Sequence, residues 1–296
     1  MRLMFEEVRK NKIMSFFLFV LFFALVGLLG VFFGYMLGNV YVGIFITVFF
    51  GAIYSMIAYF SGDRMILSMS GAKPVTKQEY PYLYHTIEGL AIAAGLKTTP
   101  KAYVIEDSAM NAFATGRDPE HSSITVTTGL LKAMNRQELE GVIAHEMSHI
   151  KNYDIRIMML AAVLVGIVTL ISDIMLRSFL WSDRRDRENN AGVIIIIGLL
   201  LAVLSPIIAQ LIKLAISRKR EFTADANAAI LTRYPKGLAD ALRKIANDPD
   251  PLVDRANKAT AHLFISTPFR KKKGFFVRMF STHPPIEERI KRLEEM

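Results

Sequence analysis

The sequence contains no cysteine among its 296 residues. This absence excludes disulfide bonds, thiolate metal ligands and a cysteine nucleophile. Any metal site in the chain must therefore be built from histidine and carboxylate side chains. Only 21% of the residues are charged, whereas 52% are hydrophobic, and the mean hydropathy is +0.31. This hydrophobic content is high for a soluble globular domain and indicates that much of the chain lies in lipid.

Charge is absent from three long stretches of the sequence and nearly absent from a fourth. No charged residue occurs at 13–38, 40–60 or 191–212, and the run at 157–176 contains a single one, Asp173. Each run comes close to the roughly 20 residues that a helix needs to cross a bilayer core. The first run is too long for a signal-peptide core and is expected to be a retained anchor. The sequence therefore predicts four transmembrane helices, the first two joined by a tight turn at Gly38-Asn39.

These spans divide the chain into four parts. Residues 1–60 are predicted to form an N-terminal transmembrane hairpin and residues 157–216 a second hairpin. Residues 61–156 and 217–296 remain outside the membrane and are long enough to form one globular domain together. In this domain the sequence predicts a helix at 81–94 and short strands at 101–106 and 122–128, typical of a mainly α fold with a small β-sheet.

The lysines and arginines near the ends of the predicted spans, together with the basic run at 270–273, account for most of the formal net charge of +9. Those near the spans also predict the orientation of the chain. They cluster before the first span, after the second and after the fourth, which places both termini and the globular domain in the cytoplasm. The loop between the third and fourth spans also carries four arginines, which weakens this bias. No nucleic-acid-binding motif accompanies the basic residues, so the expected partner of this charge is the lipid bilayer.

A short histidine motif carries the chemistry. Asn135 and Glu138 form a capping-box pattern that starts a helix, and His145-Glu146-Met147-Ser148-His149 follows on that helix. Two histidines at positions i and i+4 share one helical face and can converge on one cation, and Glu146 lies beside them to take a proton from water. Zinc accepts such a set and keeps a coordination position open. The alternative is a buried structural histidine pair.

The third ligand must come from elsewhere, because no histidine follows soon after His149. Glu221 and Asp225 are four residues apart and share a helical face, so Glu221 can bind the metal while Asp225 accepts the outer ring N–H of a ligand histidine. The alternative is a solvated acidic face paired with Arg220. Two apolar runs separate His149 from Glu221, which returns both residues to the same side of the membrane.

Four segments together resemble one family, the HtpX family of bacterial membrane heat-shock proteases, which are relatives of the CAAX prenyl endopeptidases. The resemblance covers nearly the whole chain and implies a zinc-dependent endopeptidase with one zinc ion per chain. It further implies a zincin-like, gluzincin-type catalytic domain in the cytoplasm, in a multi-pass protein of the bacterial inner membrane that removes misfolded membrane proteins. The segments are the 145–149 motif, 217–225, 111–116 and His283-Pro284-Pro285.

The resemblance also implies roles for residues outside the metal site. Asn111, Ala112 and Phe113 would form an active-site edge that binds the substrate backbone by strand addition. His283 would stabilise the oxyanion during peptide hydrolysis. From the residues alone, the first segment is equally consistent with an ordinary Asn-Ala turn, and the histidine before two prolines with the start of the last helix.

Two other classes of function use the same residues differently. A CAAX-type prenyl endopeptidase would share the site but needs an enclosed multi-helix chamber, which four spans do not favour. A non-catalytic zinc-binding scaffold or a metal transporter would need the ligands but not Glu146, and Asp173 is the only intramembrane carboxylate that could serve transport. Histidine and carboxylate ligands also accept manganese, cobalt or iron.

Overall fold

The computed structural model describes residues 2–36, 38–163, 218–248, 265 and 284–296. These parts are mainly helical with one small mixed sheet, which confirms the predicted balance of elements. The helices are α1 (Arg2–Met36), α2 (Val40–Met69), α3 (Pro81–Ala94), α4 (Thr128–Ala133), α5 (Arg136–Lys151), α6 (154–163), α7 (Arg218–Thr232), α8 (Pro235–Ala246) and α9 (Ile286–Glu294). The strands are β1 (Lys73–Pro74), β2 (Lys101–Ile105), β3 (Ala112–Asp118) and β4 (His121–Thr127).

Helices α1 and α2 pack against each other as a hairpin. The chain reverses at Gly38, whose φ of 73° is a left-handed conformation that suits glycine. Asn39 then caps α2, because its side-chain oxygen accepts hydrogen bonds from the backbone N–H of Tyr41 and Val42. Near the turn the backbones touch: a Cβ on Gly34 would lie 2.5 Å from the Cα of Val40. Small residues thus let the two helices approach closely.

Helix α2 is the one helix in the described residues that is long and apolar enough to cross a membrane. It continues to Met69, beyond the hairpin boundary predicted at residue 60. A shorter apolar stretch, Asn11–Ala24, lies within α1. Of the predicted third and fourth spans only residues 157–163 are described, as part of α6, and the rest lies outside the described residues. There α6 packs on α2, where the hydroxyl of Tyr54 donates to the carbonyl of Val163 (3.1 Å).

The sheet has the strand order β1-β2-β4-β3. Strands β2 and β4 are parallel, whereas β3 and β4 form an antiparallel hairpin that leaves β3 at the edge of the sheet. The sequence predicted β2 and β4 but neither the two-residue β1 nor β3, whose residues include few β-branched side chains. Pairing with β4 rather than intrinsic propensity makes this segment a strand.

Helix α5 lies in the centre of the globular part, packed against the sheet, α3, α7 and α8. The predicted capping box is confirmed: Asn135 accepts a hydrogen bond from the N–H of Glu138 (3.0 Å), and Glu138 accepts one from the N–H of Asn135 (2.8 Å). Lys244 on α8 also donates to the Glu138 carboxylate (2.6 Å). The start of the helix that carries the histidine motif is therefore fixed on two sides.

Candidate metal centre

Helix α5 places His145 and His149 one above the other in the interior of the protein. Their side chains are almost fully buried, and their Nε2 atoms lie 3.2 Å apart. The rings are nearly perpendicular, with centroids 4.8 Å apart. Two imidazole nitrogens this close are favourable when both face one cation. The predicted convergence of the i and i+4 histidines is therefore present in the structure.

Helix α7 adds the third donor group. Glu221 Oε2 lies 3.7 Å from Nε2 of His145, and its Oε1 lies 3.5 Å from Nε2 of His149. Zinc bonds of about 2.0–2.1 Å in tetrahedral geometry would separate their donor atoms by roughly 3.3 Å. The observed distances between these three residues fit that geometry closely. The donor set of two imidazoles and one carboxylate is also one that catalytic zinc uses, with a fourth position left for water or substrate.

A carboxylate lies at the outer ring nitrogen of each histidine. Oδ1 of Asp225 is 2.9 Å from Nδ1 of His145, as the sequence predicted, and Oδ2 of Asp154 is 2.9 Å from Nδ1 of His149. Each contact holds Nδ1 as the donor and leaves Nε2 free for a metal. Sequence analysis missed Asp154. The available signal was its position at the start of the next helix, five residues after His149.

Arg289 on α9 is the other residue of the site that sequence analysis missed. Its guanidinium makes a bidentate contact with Asp225, through Nε at 2.9 Å and Nη2 at 2.7 Å. Its Nη2 also lies 3.4 Å from the ring of His145, and its Nη1 3.7 Å from Glu221. The signal was an arginine on the apolar face of the last helix, where Ile286, Ile290 and Leu293 recur.

The electrostatics of the site follow from burial and close charges. Burial opposes the charge on His149, but the Asp154 hydrogen bond and the Glu221 carboxylate outweigh it and raise the pKa of His149 to about 9. Metal binding at Nε2 of His149 must therefore displace a proton. Burial also opposes the charge on Asp225, but the contacts with Arg289 and His145 hold the pKa of Asp225 well below its usual range. Asp225 thus stays an acceptor at neutral pH.

Glu146 differs from the other carboxylates of the site. Burial raises the pKa of Glu146, although the nearby His145 and His149 act in the opposite direction. Its Oε1 is buried and has no hydrogen-bond partner among the described residues. Such an atom is costly unless a missing group satisfies it, and water or substrate at the metal would do so. The observation fits the predicted proton-accepting role.

The predicted substrate edge lies next to the site, on the strand at the margin of the sheet. Asn111 directly precedes β3, and its side-chain oxygen accepts a hydrogen bond from the N–H of Ala112 (3.1 Å). The carbonyl of Ala112 accepts a main-chain hydrogen bond from Ile265 (2.8 Å), so this edge does bind backbone. Phe113 is fully buried and belongs to the core. His283, the predicted oxyanion residue, lies outside the described residues.

Comparison with known proteins identifies the family. The sequence profile of Peptidase family M48 matches residues 77–296, which contain all the residues of the metal centre. The chain belongs to peptidase family M48. M48 members are zinc-dependent peptidases, so this chain is a zinc metalloprotease that acts on protein substrates, and His145, His149 and Glu221 are the buried group able to hold its metal.

Curated relatives of this M48 chain support the same assignment over nearly its whole length. It is 52% identical to a "Protease HtpX homolog" of Dictyoglomus thermophilum, covering 85% of this chain and 80% of the relative. It is 47% identical to a protein of the same name from Dictyoglomus turgidum, covering 99% and 94%. Among solved structures, Ste24p of S. mikatae aligns with a TM-score of 0.48 at 21% identity, covering 84% of this chain and 58% of that one.

Proposed function

We propose that this membrane zinc metalloprotease cleaves misfolded or damaged membrane proteins at the cytoplasmic surface of the bacterial cell membrane, as part of a stress-response quality-control system. The relatives named "Protease HtpX homolog" support the proteolytic activity, and helix α2 supports the location in a membrane. The observation that carries the proposal is the buried group His145, His149 and Glu221 with Glu146 beside it.

The proposed ligands are His145, His149 and Glu221, in a site for one zinc ion. When bound, zinc supplies a Lewis acid that polarises the scissile carbonyl and acidifies water. Asp225 and Asp154 hold the outer nitrogens of the two histidines and so fix the direction of both Nε2 atoms. The ligand side chains are therefore arranged before the metal arrives.

Glu146 acts as the general base and then as the general acid. It accepts the proton of the attacking water at its carboxylate and returns it to the nitrogen of the leaving amine, so the peptide bond breaks without a covalent enzyme intermediate. Its raised pKa suits the first step, because a carboxylate with an ordinary pKa is a weaker base and would accept the proton from water less readily. A zinc-binding scaffold or a metal transporter would have no use for this buried carboxylate.

Substrate backbone is proposed to bind along the outer edge of β3, where it would take the place of the main-chain hydrogen bond from Ile265 to Ala112. The backbone N–H of Asn111 donates to the hydroxyl of Thr127 on β4, and its carbonyl accepts from the backbone N–H of Thr127. Because main-chain groups alternate in direction along an antiparallel strand, those of the next residue, Ala112, point away from β4. An unfolded segment added there would be held extended next to the zinc ligands. Recognition of main chain rather than side chains suits substrates that share only their unfolded state.

The proposal is tested by proteolysis with full-length protein purified in detergent, with casein and an unfolded membrane protein as substrates. Glu146→Gln should retain stoichiometric zinc and lose about 10²- to 10⁴-fold in cleavage rate, because a general base is removed without a change of ligands. Glu140→Gln is the matched control, since it lies on the same helix in an exposed pair with Arg136. Chelation should abolish cleavage and zinc should restore it.

Two results would contradict the proposal. If Glu146→Gln cleaves as fast as wild type, Glu146 is not the general base. If wild type binds zinc but cleaves neither substrate under conditions in which another metalloprotease cleaves both, the proposed substrate class is wrong.

A further inference from the structure

One face of helix α1 is buried against the globular part, close to the metal centre. Asn11, Ser15 and Leu18 are spaced along this face and are all buried, although neighbouring residues such as Phe16 and Phe17 are exposed. Leu18 packs into the hydrophobic core, and the Ser15 hydroxyl donates to the carbonyl of Asn11 in the preceding turn. The first helix therefore presents a polar group, Asn11, to the interior of the globular part.

Asn11 meets the short turn between α5 and α6. Its Nδ2 donates to the carbonyl of Asn152 (2.8 Å) and to Oδ1 of Asp154 (2.6 Å). Both partners can only accept, so the amide is fixed with its nitrogen toward them. The two hydrogen bonds join residues more than 140 positions apart and are buried. Hydrogen bonds to a buried carboxylate are among the strong ones, because the acceptor is charged.

The turn that Asn11 holds is strained. Tyr153 has a φ of 63°, a left-handed conformation that is unfavourable for a residue with a bulky side chain. Such a conformation persists when neighbouring contacts determine it. Here Asn11 binds the residue on either side of Tyr153, and the ammonium of Lys12 lies 4.8 Å from the centre of the Tyr153 ring. Helix α1 thus fixes the path of the chain from α5 into α6.

This turn determines where the Asp154 carboxylate lies. One of its oxygens accepts from Asn11 and the other lies 2.9 Å from Nδ1 of His149. Arg220 is farther away, with its Nη1 3.8 Å from Asp154. Because the two carboxylate oxygens are rigidly connected, holding one of them orients the other. The contacts therefore run from Asn11 through Asp154 to His149.

We infer that Asn11 is a positioning residue of the metal centre, and that the first helix of the transmembrane hairpin is part of the catalytic unit as well as an anchor. Asn11 acts through Asp154, which holds the tautomer and direction of His149. This inference rests on the proposed zinc centre. It assigns a specific residue of the membrane hairpin to the affinity of the site for its metal.

Zinc affinity is the direct readout. The full-length protein is purified in detergent in a Glu146→Gln background, which prevents self-cleavage, and zinc binding is measured by competition with a chromophoric chelator. Asn11→Ala should weaken zinc binding by about 10-fold, the lower end for loss of a partner outside the ligand set. Asn11→Asp should weaken it further, because a second carboxylate would face Asp154. Asn11→Ser, which cannot reach both acceptors, provides a second neutral variant.

The matched control is Asn39→Ala. It removes the same amide from the same hairpin, but its hydrogen bonds cap α2 at the turn between the two helices. Zinc affinity should not change in this variant. The unfolding temperature of each apo protein is measured alongside, so that a loss of zinc affinity is compared between proteins that are folded.

A double-mutant cycle separates positioning from general destabilisation. If Asn11 acts through Asp154, Asn11→Ala should have no further effect on zinc affinity in an Asp154→Ala protein. Fully additive losses, or unchanged affinity in both Asn11→Ala and Asn11→Ser, would overturn the inference while leaving the zinc centre intact. If the parent protein itself binds no zinc, the proposed centre fails and the inference fails with it.

Discussion

Arg289 shows how one side chain can organise several groups of the site. Its guanidinium is fully buried and bidentate on Asp225, which in turn lies at the outer nitrogen of His145. A planar fork holds both carboxylate oxygens in one orientation, whereas an ammonium is a point charge that cannot. Arg289 therefore does for His145 what Asn11 does for His149.

We expect Arg289→Lys to weaken zinc binding by about 10- to 100-fold, because the charge is kept but the orientation of Asp225 is lost. The measurement is zinc competition on the full-length protein, together with kcat/KM for casein cleavage at saturating zinc. Arg136→Lys is the control, since this arginine makes an exposed ion pair with Glu140 at the start of α5. Equal zinc affinity in the two variants would show that charge alone is sufficient at residue 289.

The sequence revealed those site residues that regular spacing brings together. His145, Glu146 and His149 were predicted from one helical turn, and Glu221 with Asp225 from another. Asp154 and Arg289 were missed because their roles depend on how separate elements pack. A charged residue on the apolar face of α9 is visible in the sequence, but its partner is not. Spacing within a helix predicts a shared face, whereas contacts between helices are set by tertiary structure.

At the scale of elements, the position of α5 depends on close packing against α8. A Cβ added to Gly141 would lie 2.6 Å from the backbone N of Leu238 and 2.8 Å from its Cα. Backbone atoms cannot move aside as a flexible side chain can. The two helices therefore approach each other at a glycine, one turn before His145, the first of the proposed zinc ligands.

We expect Gly141→Ala to destabilise the protein by about 1–3 kcal/mol, the usual range for overpacking. Alanine favours a helix interior over glycine by about 1 kcal/mol, and we expect the overpacking cost to exceed this gain, so the free energy of unfolding should fall. Gly89→Ala in α3 is the matched control, because no atom lies within 4 Å of its added Cβ and only the gain remains. Thermal or denaturant unfolding measures both variants. A Gly141→Ala protein as stable as Gly89→Ala would contradict the described packing.

Elements with strong local signals were predicted and those without were not. The capping box predicted the start of α5, and Gly38-Asn39 predicted the turn of the hairpin. Strand β3 has no comparable signal, since its residues 112–118 become extended by pairing with β4. The strand that the family resemblance assigned to substrate is thus one of the two that propensity missed.

At the scale of the whole molecule, the metal centre and the membrane segments are close in sequence and in space. The helix that follows His149 begins at residue 154 and packs along α2 as far as it is described. Arg117, near the end of β3, places its guanidinium over the ring of Phe60 on α2. The proposed substrate edge and the proposed zinc ligands therefore lie next to the apolar hairpin. This proximity suits a protease whose substrates emerge from the membrane.

The arrangement of the chain across the membrane is open to a direct test with reporter fusions in bacteria. His149 and Glu221 share one site, so an even number of crossings must separate them. The positive-inside rule predicts that this site lies in the cytoplasm. Fluorescent-protein fusions after Lys77 and after Met296 should therefore be fluorescent, and alkaline phosphatase should be active when fused after Asn39. Phosphatase fused after Asn190 should also be active if the third and fourth spans cross fully.

If the phosphatase fusion after Asn190 is inactive and its fluorescent counterpart is bright, these two runs form a hairpin that enters the membrane from the cytoplasm, and the four-span prediction is wrong. A fluorescent signal after Asn39, with phosphatase activity after Met296, would reverse the orientation and place proteolysis outside the cell.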